Sequence, residues 1–339
     1  MAKLEGKSTK RPGRDLAWGM AMSAGALLMC GITQATAQTA AQAWPAKPVR
    51  IIVPVVPGGP SDLMARLLGS KLSEGWGQPV LVDNRAGATG IIAAEAAYKA
   101  PSDGYTMFSM ALTQFIATLV HQKYLLARDF ASVTMVGATP FTFAVGLNVP
   151  AKNIAEWIAY ARSRPGELNY ASTGMWGAGH LCMESFNALT GIKTVHVPHP
   201  GAPQAANALM GGEVSAYCAA ALSVAKLAQA GKLRLIGVTY QQPTKLLPDV
   251  APISDTVPGF EVLGWYGLQV GKGTPNEVIN KINTDLVRVI KNPEMGERLV
   301  AMGVDPLGTT PAEFSAYLQK ESDRWSKILK ERNARPEDL

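Results

Sequence analysis

The chain has 339 residues, of which 47% are hydrophobic, and a formal net charge of +6 at pH 7. A chain of this length can form two domains of typical size, each with its own hydrophobic core. Its basic residues form no concentrated stripe with interleaved aromatic residues, so nucleic acid is not an expected partner. No apolar stretch beyond residue 37 is long enough to span a bilayer.

Residues 1–37 have the features of a secretory signal peptide. Five basic residues precede the apolar stretch Leu16–Ile32, which leads to a small-residue cleavage site at Ala35–Ala37. A membrane anchor is disfavoured because the apolar stretch is short and rich in Gly. A lipoprotein anchored through Cys30 is disfavoured because a methionine stands where a small residue is required. We expect cleavage and export to the periplasm, which removes five positive and two negative charges and leaves +6 − 3 = +3.

From Val49, apolar strands alternate with helical periods. The pattern predicts strands at Val49–Pro54, Val80–Asp83, Tyr105–Met110 and Val133–Gly137 and helices at Asp62–Glu74, Gly90–Ala97 and Gln114–His121. Alternation with short loops is typical of an α/β domain.

A second α/β unit is predicted to follow. Its predicted order is strand Phe141–Gly146, helix Ile154–Arg162, strand Leu168–Ala171, helix Ala178–Leu189, strand Val195–Val197, helix Gln204–Met210 and strands Val214–Cys218 and Leu233–Val238. The Pro-rich stretch Pro243–Pro258 closes this unit. The predicted strand Trp265–Val270 and helix Asn276–Lys291 then indicate that the chain returns to the first unit.

The last predicted element is one long helix. Thr310 and Glu313 form a capping box, with Pro311 at the first helical position. Apolar and aromatic residues recur at helical spacing from Phe314 to Leu329.

Cys182 and Cys218 remain after removal of the predicted signal peptide. They could pair in an oxidising compartment, but we expect two buried free thiols, since unpaired cysteines are commonly buried. Neither lies in a C-x-x-C motif, and no two histidines are placed as neighbours on a predicted helix. We therefore expect no metal ion and no cofactor.

Two glycine turns stand where predicted strands end and helices begin. In the first, Pro57–Ser61, Gly58 and Gly59 permit close approach of a ligand, and the N–H groups of the following helix favour an anion. The alternative is that these glycines only turn the chain and Asp62 caps the helix. Ligands of open α/β sheets bind beyond the carboxyl ends of the strands, which favours the ligand-binding interpretation.

The second turn, Ser172–Gly174, repeats this arrangement in the second unit, and a third, His199–Pro203, precedes another helix. Turns from both units could hold one anion across a cleft. Neither of the first two contains Lys, so carboxylate is a better candidate than phosphate, and we predict that Ser172 and Thr173 donate hydrogen bonds to it. Trp176 is predicted to line the cleft and favour a flat or apolar ligand; packing inside its own domain is the alternative.

The sequence contains no G-x-S-x-G or H-E-x-x-H motif, and we do not expect an enzyme. His199 is the histidine best placed for chemistry because it lies in a predicted loop. A secreted enzyme that uses His199 with Ser172 or Thr173 is therefore the alternative, although the sequence indicates no acidic partner.

Short motifs along the chain resemble those of the periplasmic solute-binding proteins of tripartite tricarboxylate transporters, the TctC or Bug group. In order, these motifs are Trp44-Pro45, Lys47-Pro48, Pro57-Gly58-Gly59 with Asp62, Ala65 and Arg66, Gly77-Gln78-Pro79-Val80, Asn84-Arg85 with Gly87-Ala88, Asp103-Gly104-Tyr105-Thr106, Tyr170-Ala171-Ser172, His196-Val197-Pro198, Gly211-Gly212, Ala230-Gly231-Lys232, Gly273-Thr274-Pro275, and Glu321 with Trp325. Each is weak alone, but together and in order they are highly specific.

The resemblance implies a two-domain α/β fold of the type II periplasmic-binding-protein class, a "Venus flytrap". Two interdomain crossovers are expected, near Ala138–Phe141 and Gly264–Tyr266. Domain 1 is expected to comprise 44–140 plus 266–339, and domain 2 to comprise 141–265.

The resemblance also implies a function. Such proteins bind carboxylates that range from citrate and dicarboxylates to amino acids and aromatic acids, and they pass them to integral-membrane permease subunits; a related alternative is a module that presents its solute to a sensor kinase. We expect this chain to be a monomer that binds a di-, tri- or aromatic carboxylate. With the turns described above, the predicted ligand-binding residues are Pro57, Gly58, Gly59, Ser61, Thr113, Ser172, Thr173, Gly174, Trp176, His199, Gly201 and Ala202. Departures from the family pattern at His199-Pro200, Ala208, Gly271-Lys272 and Trp176 leave the carboxylate unspecified.

Overall fold

The computed structural model describes residues 44–241, 244 and 247–338; the predicted signal peptide lies outside them. The strands are β1 (Val49–Val53), β2 (Val80–Asn84), β3 (Thr106–Ala111), β4 (Phe130–Val145), β5 (Asn169–Ser172), β6 (Val195–Pro198), β7 (Ala216–Ala220), β8 (Arg234–Val238), β9 (Leu263–Gly271) and β10 (Asp305–Pro306). The α-helices are α1 (Pro60–Trp76), α2 (Ile91–Tyr98), α3 (Leu112–His121), α4 (Ile154–Arg162), α5 (Ala178–Thr190), α6 (Ala202–Gly211), α7 (Ala221–Gln229), α8 (Asn276–Ile290), α9 (Pro293–Ala301) and α10 (Pro311–Glu331).

The strands form two groups that share β4. In the first, β2, β1 and β3 are parallel neighbours, β9 runs antiparallel to both β3 and the first part of β4, and β10 also pairs with β4. In the second, the last part of β4 pairs antiparallel with β7 and β8, while β5 runs parallel to both β7 and β6. This mixed sheet with helices between its strands confirms the predicted α/β class.

β4 is one strand of 16 residues, whereas the sequence predicted two separate strands over this region. Phe130–Pro140 pairs with β9, and Phe141–Val145 pairs with β7. Pro140, which cannot donate to a ladder, stands where the pairing changes, so it does not interrupt the strand. This change lies within the predicted crossover, but the domain boundaries 44–140 plus 266–339 and 141–265 stay a prediction.

The sequence interpretation missed the short helices α7 and α9. α9 has a recognisable start, because the Asn292 side chain accepts a hydrogen bond from the Met295 N–H and Pro293 occupies the first helical position. α7 begins immediately after β7 and has no side-chain cap, so it carries no comparable signal.

The predicted C-terminal helix is confirmed as α10. The Glu313 N–H donates to the Thr310 hydroxyl at 3.2 Å, and the Thr310 N–H donates to the Glu313 carboxylate at 2.8 Å. Phe314 and Trp325 are fully buried, and Phe314 packs edge-on against Trp265 of β9 with 5.6 Å between ring centroids. The helix therefore packs on the first group of strands, which periodicity alone did not indicate.

Across the part of the chain that the structure describes, no helix combines the length and apolar character needed to cross a membrane.

Candidate functional site

Asp62 stabilises the first glycine turn and is itself buried, with 1% of its surface exposed. Its carboxylate accepts hydrogen bonds from the Gly58 N–H at 2.9 Å, from Arg66 Nε at 3.0 Å and from the Asn84 amide at 2.8 Å. These bonds, with that of Arg66 the largest cause, lower the pKa of Asp62 to about 2. Because the Gly58 N–H already donates to Asp62, this geometry favours the interpretation in which the glycines turn the chain.

The side-chain hydroxyl of Ser172 stabilises the second turn. Its hydroxyl lies 2.9 Å from the Gly174 carbonyl oxygen and 2.6 Å from His196 Nε2, and it accepts the Gly174 N–H at 3.1 Å. Ser172 is fully buried. In this conformation its hydroxyl stabilises the turn.

The N-terminus of α5 follows this turn. The helix begins at Ala178 after Gly177, and no side chain caps it. The N–H groups of a first helical turn lack intrahelical partners and carry the positive end of the helix dipole. A Cβ on Gly179 would lie 2.6 Å from the Cys218 carbonyl oxygen, so only glycine lets α5 approach β7 this closely.

This N-terminus opens on a cavity of about 490 Å³. Among the predicted ligand-binding residues, those that line it are Thr113, Thr173, Gly174, Trp176 and Ala202. Residues of the lining that the sequence interpretation missed include Thr89, Phe141, Tyr217, Ser223 and Asp338. Thr89 follows the end of β2, so the rule that ligands bind beyond strand ends could have identified it. Asp338 lies on a C-terminal 3-10 turn, Pro336–Asp338, far in sequence from any strand end, so that rule could not have identified it.

The other predicted residues do not line this cavity: Pro57, Gly58, Gly59, Ser61, Ser172, His199 and Gly201. Pro57 and Gly58 are exposed on the first turn, while Ser61 is buried beneath it. The structure therefore brings together the second turn, Ala202 and the start of α3 around the cavity. Thr89 lines the cavity where the sequence predicted residues of the first turn. A ligand-binding role for the remaining residues stays a prediction.

Trp176 forms part of the cavity wall. It is 5% exposed and adopts a left-handed backbone conformation, with φ of 56°. Its N–H donates to His180 Nδ1 at 3.0 Å, and its ring packs edge-on against His180 with 4.9 Å between centroids. Its buried side chain lies beside Asp338, and a hydrogen bond from Trp176 is one of the causes that lower the pKa of that carboxyl group.

His180 and His196 lie behind the same turn, with 4.2 Å between their ring centroids. Burial lowers the pKa of His180 to about 3 and that of His196 to about 4, so both rings are neutral at pH 7. The Ser172 hydroxyl lies against His196 Nε2, whereas Ser172 contacts His199 through the backbone, with the His199 N–H donating to the Ser172 carbonyl oxygen at 2.9 Å. Among the described residues, no three metal-ligating side chains are grouped to hold a metal ion.

Cys182 of α5 and Cys218 of β7 form a disulfide, with 6.3 Å between their Cα atoms. The expectation of two free thiols is therefore wrong. The close contact of α5 with β7 at Gly179 brings the two cysteines together, although 36 residues separate them. Cys218 lines the cavity, so the disulfide joins two of its walls.

The fold is that of periplasmic solute-binding proteins, and the family follows from sequence. Residues 64–334 match the tripartite tricarboxylate transporter family receptor, TctC, and the chain belongs to this family. It is 33% identical over 313 residues to the UPF0065 protein in the tcbD-tcbE intergenic region of Pseudomonas sp. strain P51, covering 90% of this chain and 93% of that protein.

Solved structures agree with this assignment. The structure of Rpa4515 of R. palustris with adipate is 31% identical, with a TM-score of 0.68, covering 85% of this chain and 97% of that one. MatC from Rhodopseudomonas palustris with bound malate is 27% identical, with a TM-score of 0.66, covering 84% of this chain and all of that one. The predicted family and fold class are both confirmed.

Proposed function

We propose that the protein is a periplasmic solute-binding protein that captures a small carboxylate and delivers it to the permease subunits of a tripartite tricarboxylate-type transporter. Membership of the receptor family supports the transport role. The signal-peptide pattern of residues 1–37 supports export. In this proposal the protein acts by binding and release, as a monomer, and catalyses no reaction.

The uncapped N-terminus of α5 at the cavity is the observation that carries the proposal. A carboxylate placed there can accept two or three N–H or O–H groups, and each charge-assisted bond contributes about 1.5–3 kcal/mol net. Thr113 and Thr173 add hydroxyls to the same wall. The neighbouring structures with adipate and malate, both dicarboxylates, support the same ligand class.

The aromatic part of the lining supports a ligand with an apolar or flat body. Phe141, Trp176 and Tyr217 line the cavity. Ring stacking contributes about 0.5–1.5 kcal/mol beyond area burial. The ligand is therefore proposed to combine a carboxylate with an apolar body.

A thermal-shift screen of mono-, di- and tricarboxylates and aromatic acids on the mature chain tests the proposal. A ligand at 100-fold its dissociation constant should stabilise the native state by about 2.7 kcal/mol if it binds only that state. Calorimetry on Thr173→Val should then show a loss of about 1.5–3 kcal/mol in binding free energy. Thr190→Val, which removes a hydroxyl at the opposite end of α5, serves as the matched control. A screen without any hit, or equal losses in both variants, would contradict the proposed site.

A further inference from the structure

Tyr217 is a buried residue of the cavity lining whose hydroxyl has no hydrogen-bond partner in the described part of the chain. It lies on β7 and is 2% exposed. Burial alone raises the pKa of Tyr217 to about 12, so the hydroxyl is protonated at neutral pH and can donate. Buried tyrosine hydroxyls ordinarily find a partner, whereas a phenylalanine would fill the same apolar space without needing one.

The side chain of Tyr217 lies on the face of β7 opposite to α5. Successive side chains of a strand point to opposite faces of the sheet. The next residue, Cys218, faces α5, because it forms the disulfide with Cys182 of that helix. Tyr217 instead belongs to the apolar cluster that contains Ala205 of α6 and Val224 of α7. Tyr217 therefore reaches the cavity from the side of α6 and α7.

The cavity extends around the carboxyl end of β7 to this side. Its lining includes Tyr217, Cys218 and Ala220, the last residue of the strand. Ser223, in the first turn of α7, also lines it. No side chain caps α7, so the N–H groups of its first turn lack intrahelical partners. The hydroxyls of Tyr217 and Ser223 and the N-terminus of α7 thus form a second donor group, across β7 from the N-terminus of α5.

Hydroxyls and backbone N–H groups are the donors that this cavity offers, because no described residue of its lining is Lys, Arg or His. Within the second donor group, Ser223 is exposed and its hydroxyl can bond to solvent when no ligand is bound. Tyr217 is too buried to be solvated in the same way. Its hydroxyl therefore gains most from an acceptor placed in the cavity, since an unsatisfied buried donor is costly.

We propose that the Tyr217 hydroxyl donates a hydrogen bond to a second, oxygen-bearing group of the ligand, and that this bond makes the cavity prefer such acids to plain aliphatic acids. The first carboxylate lies at the α5 N-terminus, and the ligand passes around the end of β7 to the second donor group. A carboxylate and a hydroxyl both have oxygen lone pairs that accept this bond. This inference rests on the proposed function, because it assumes that a carboxylate occupies the α5 side of the same cavity.

The test compares three acids that share a chain and differ at one end: adipate, 6-hydroxyhexanoate and hexanoate, together with shorter homologues of each. Dissociation constants are measured by calorimetry for the mature protein and for Tyr217→Phe, which keeps the ring and removes the hydroxyl. Tyr170→Phe is the matched control. Tyr170 is also a buried tyrosine, but its hydroxyl donates to Glu184 at 2.8 Å and it lies outside the cavity lining.

The wild-type protein is expected to bind the dicarboxylate or the hydroxy acid more tightly than the plain acid of the same length. Tyr217→Phe should reduce this preference by at least about tenfold for a dicarboxylate and by about two- to tenfold for a hydroxy acid, because bonds to charged acceptors are stronger. The affinity for the plain acid should not change. Tyr170→Phe should leave the preference unchanged while it lowers the melting temperature of the ligand-free protein, since it removes the bond to Glu184.

Two sets of outcomes would overturn the inference, and they are distinguishable. A wild-type protein that binds the plain acid as tightly as its substituted counterparts, or a preference that Tyr217→Phe leaves intact, would remove the role of Tyr217 and leave the proposed function standing. Failure of every acid, in this series and in the broader carboxylate screen, to bind the wild-type protein would overturn the proposed function and this inference together.

Discussion

The disulfide between Cys182 and Cys218 should contribute strongly to stability, because it joins α5 to β7 beside the cavity. Cross-linking residues 36 positions apart lowers the entropy of the unfolded chain. In the chain-entropy model, a loop of this size corresponds to about 4 kcal/mol at 25 °C. Reduction should therefore lower the free energy of unfolding by about that amount.

Urea unfolding of the mature protein, oxidised and in the presence of a reductant, measures this difference directly. The double variant Cys182→Ala/Cys218→Ala separates cross-linking from packing, since reduction retains both sulfurs and the variant removes them. Both cysteines are fully buried, so the variant should lose about 1 kcal/mol per site beyond the reduced protein. Thiol titration of the denatured, unreduced protein should detect no free thiol.

Two results would refute this reasoning. Two titratable thiols in protein purified without a reductant would show that the cysteines do not pair. Equal free energies of unfolding for the oxidised and reduced proteins would show that the cross-link does not restrict the unfolded chain as the model assumes.

Two further predictions concern the turns. The folded pKa of Asp62, about 2, lies below its ordinary value of 3.8, so its ionised form stabilises the fold above pH of about 4 and this contribution is lost as pH falls towards 2. Asp62→Asn should flatten the pH dependence of the free energy of unfolding across that window in acid-unfolding measurements. An unchanged profile would argue against a stabilising role for the hydrogen bonds that the Asp62 carboxylate accepts. Gly179→Ala should destabilise the protein by about 1–3 kcal/mol because its Cβ would lie 2.6 Å from the Cys218 carbonyl oxygen. Gly177→Ala, whose Cβ would meet nothing closer than 3.4 Å, is its control in thermal unfolding, and equal losses would contradict the steric argument.

Local signals predicted the parts of the fold that depend on neighbouring residues. The Thr310–Glu313 capping box predicted the start of α10, because both hydrogen bonds form within four residues. The alternation of strands and helices likewise predicted the α/β class. β4 was predicted as two strands, and the structure shows why one strand can contain Pro140: the pairing partner changes there from β9 to β7.

The site was less predictable because side-chain direction depends on tertiary contacts. Ser172 and Thr173 are adjacent and both carry hydroxyls, yet Ser172 contacts His196 and Thr173 lines the cavity. The disulfide forms because α5 closely approaches β7. The spacing of the two cysteines along the chain does not indicate this approach. Asp338 lines the cavity from the C-terminal 3-10 turn. This turn follows no strand that would identify it as part of a site, so the position of strand ends could not predict Asp338.

The two glycine turns look equivalent in sequence, but different groups accept hydrogen bonds from their backbone N–H groups. At the first, Asp62 supplies an internal carboxylate that accepts the Gly58 N–H. At the second, Ser172 satisfies the Gly174 N–H, while the α5 N-terminus beyond it has no side-chain cap. The N-termini of α1 and α5 both lack a side-chain cap, but only the α5 N-terminus belongs to the cavity lining. Because backbone groups and small residues form the α5 end of the cavity, other side chains of its lining, such as Phe141 and Tyr217, can change ligand preference without altering how the carboxylate is held.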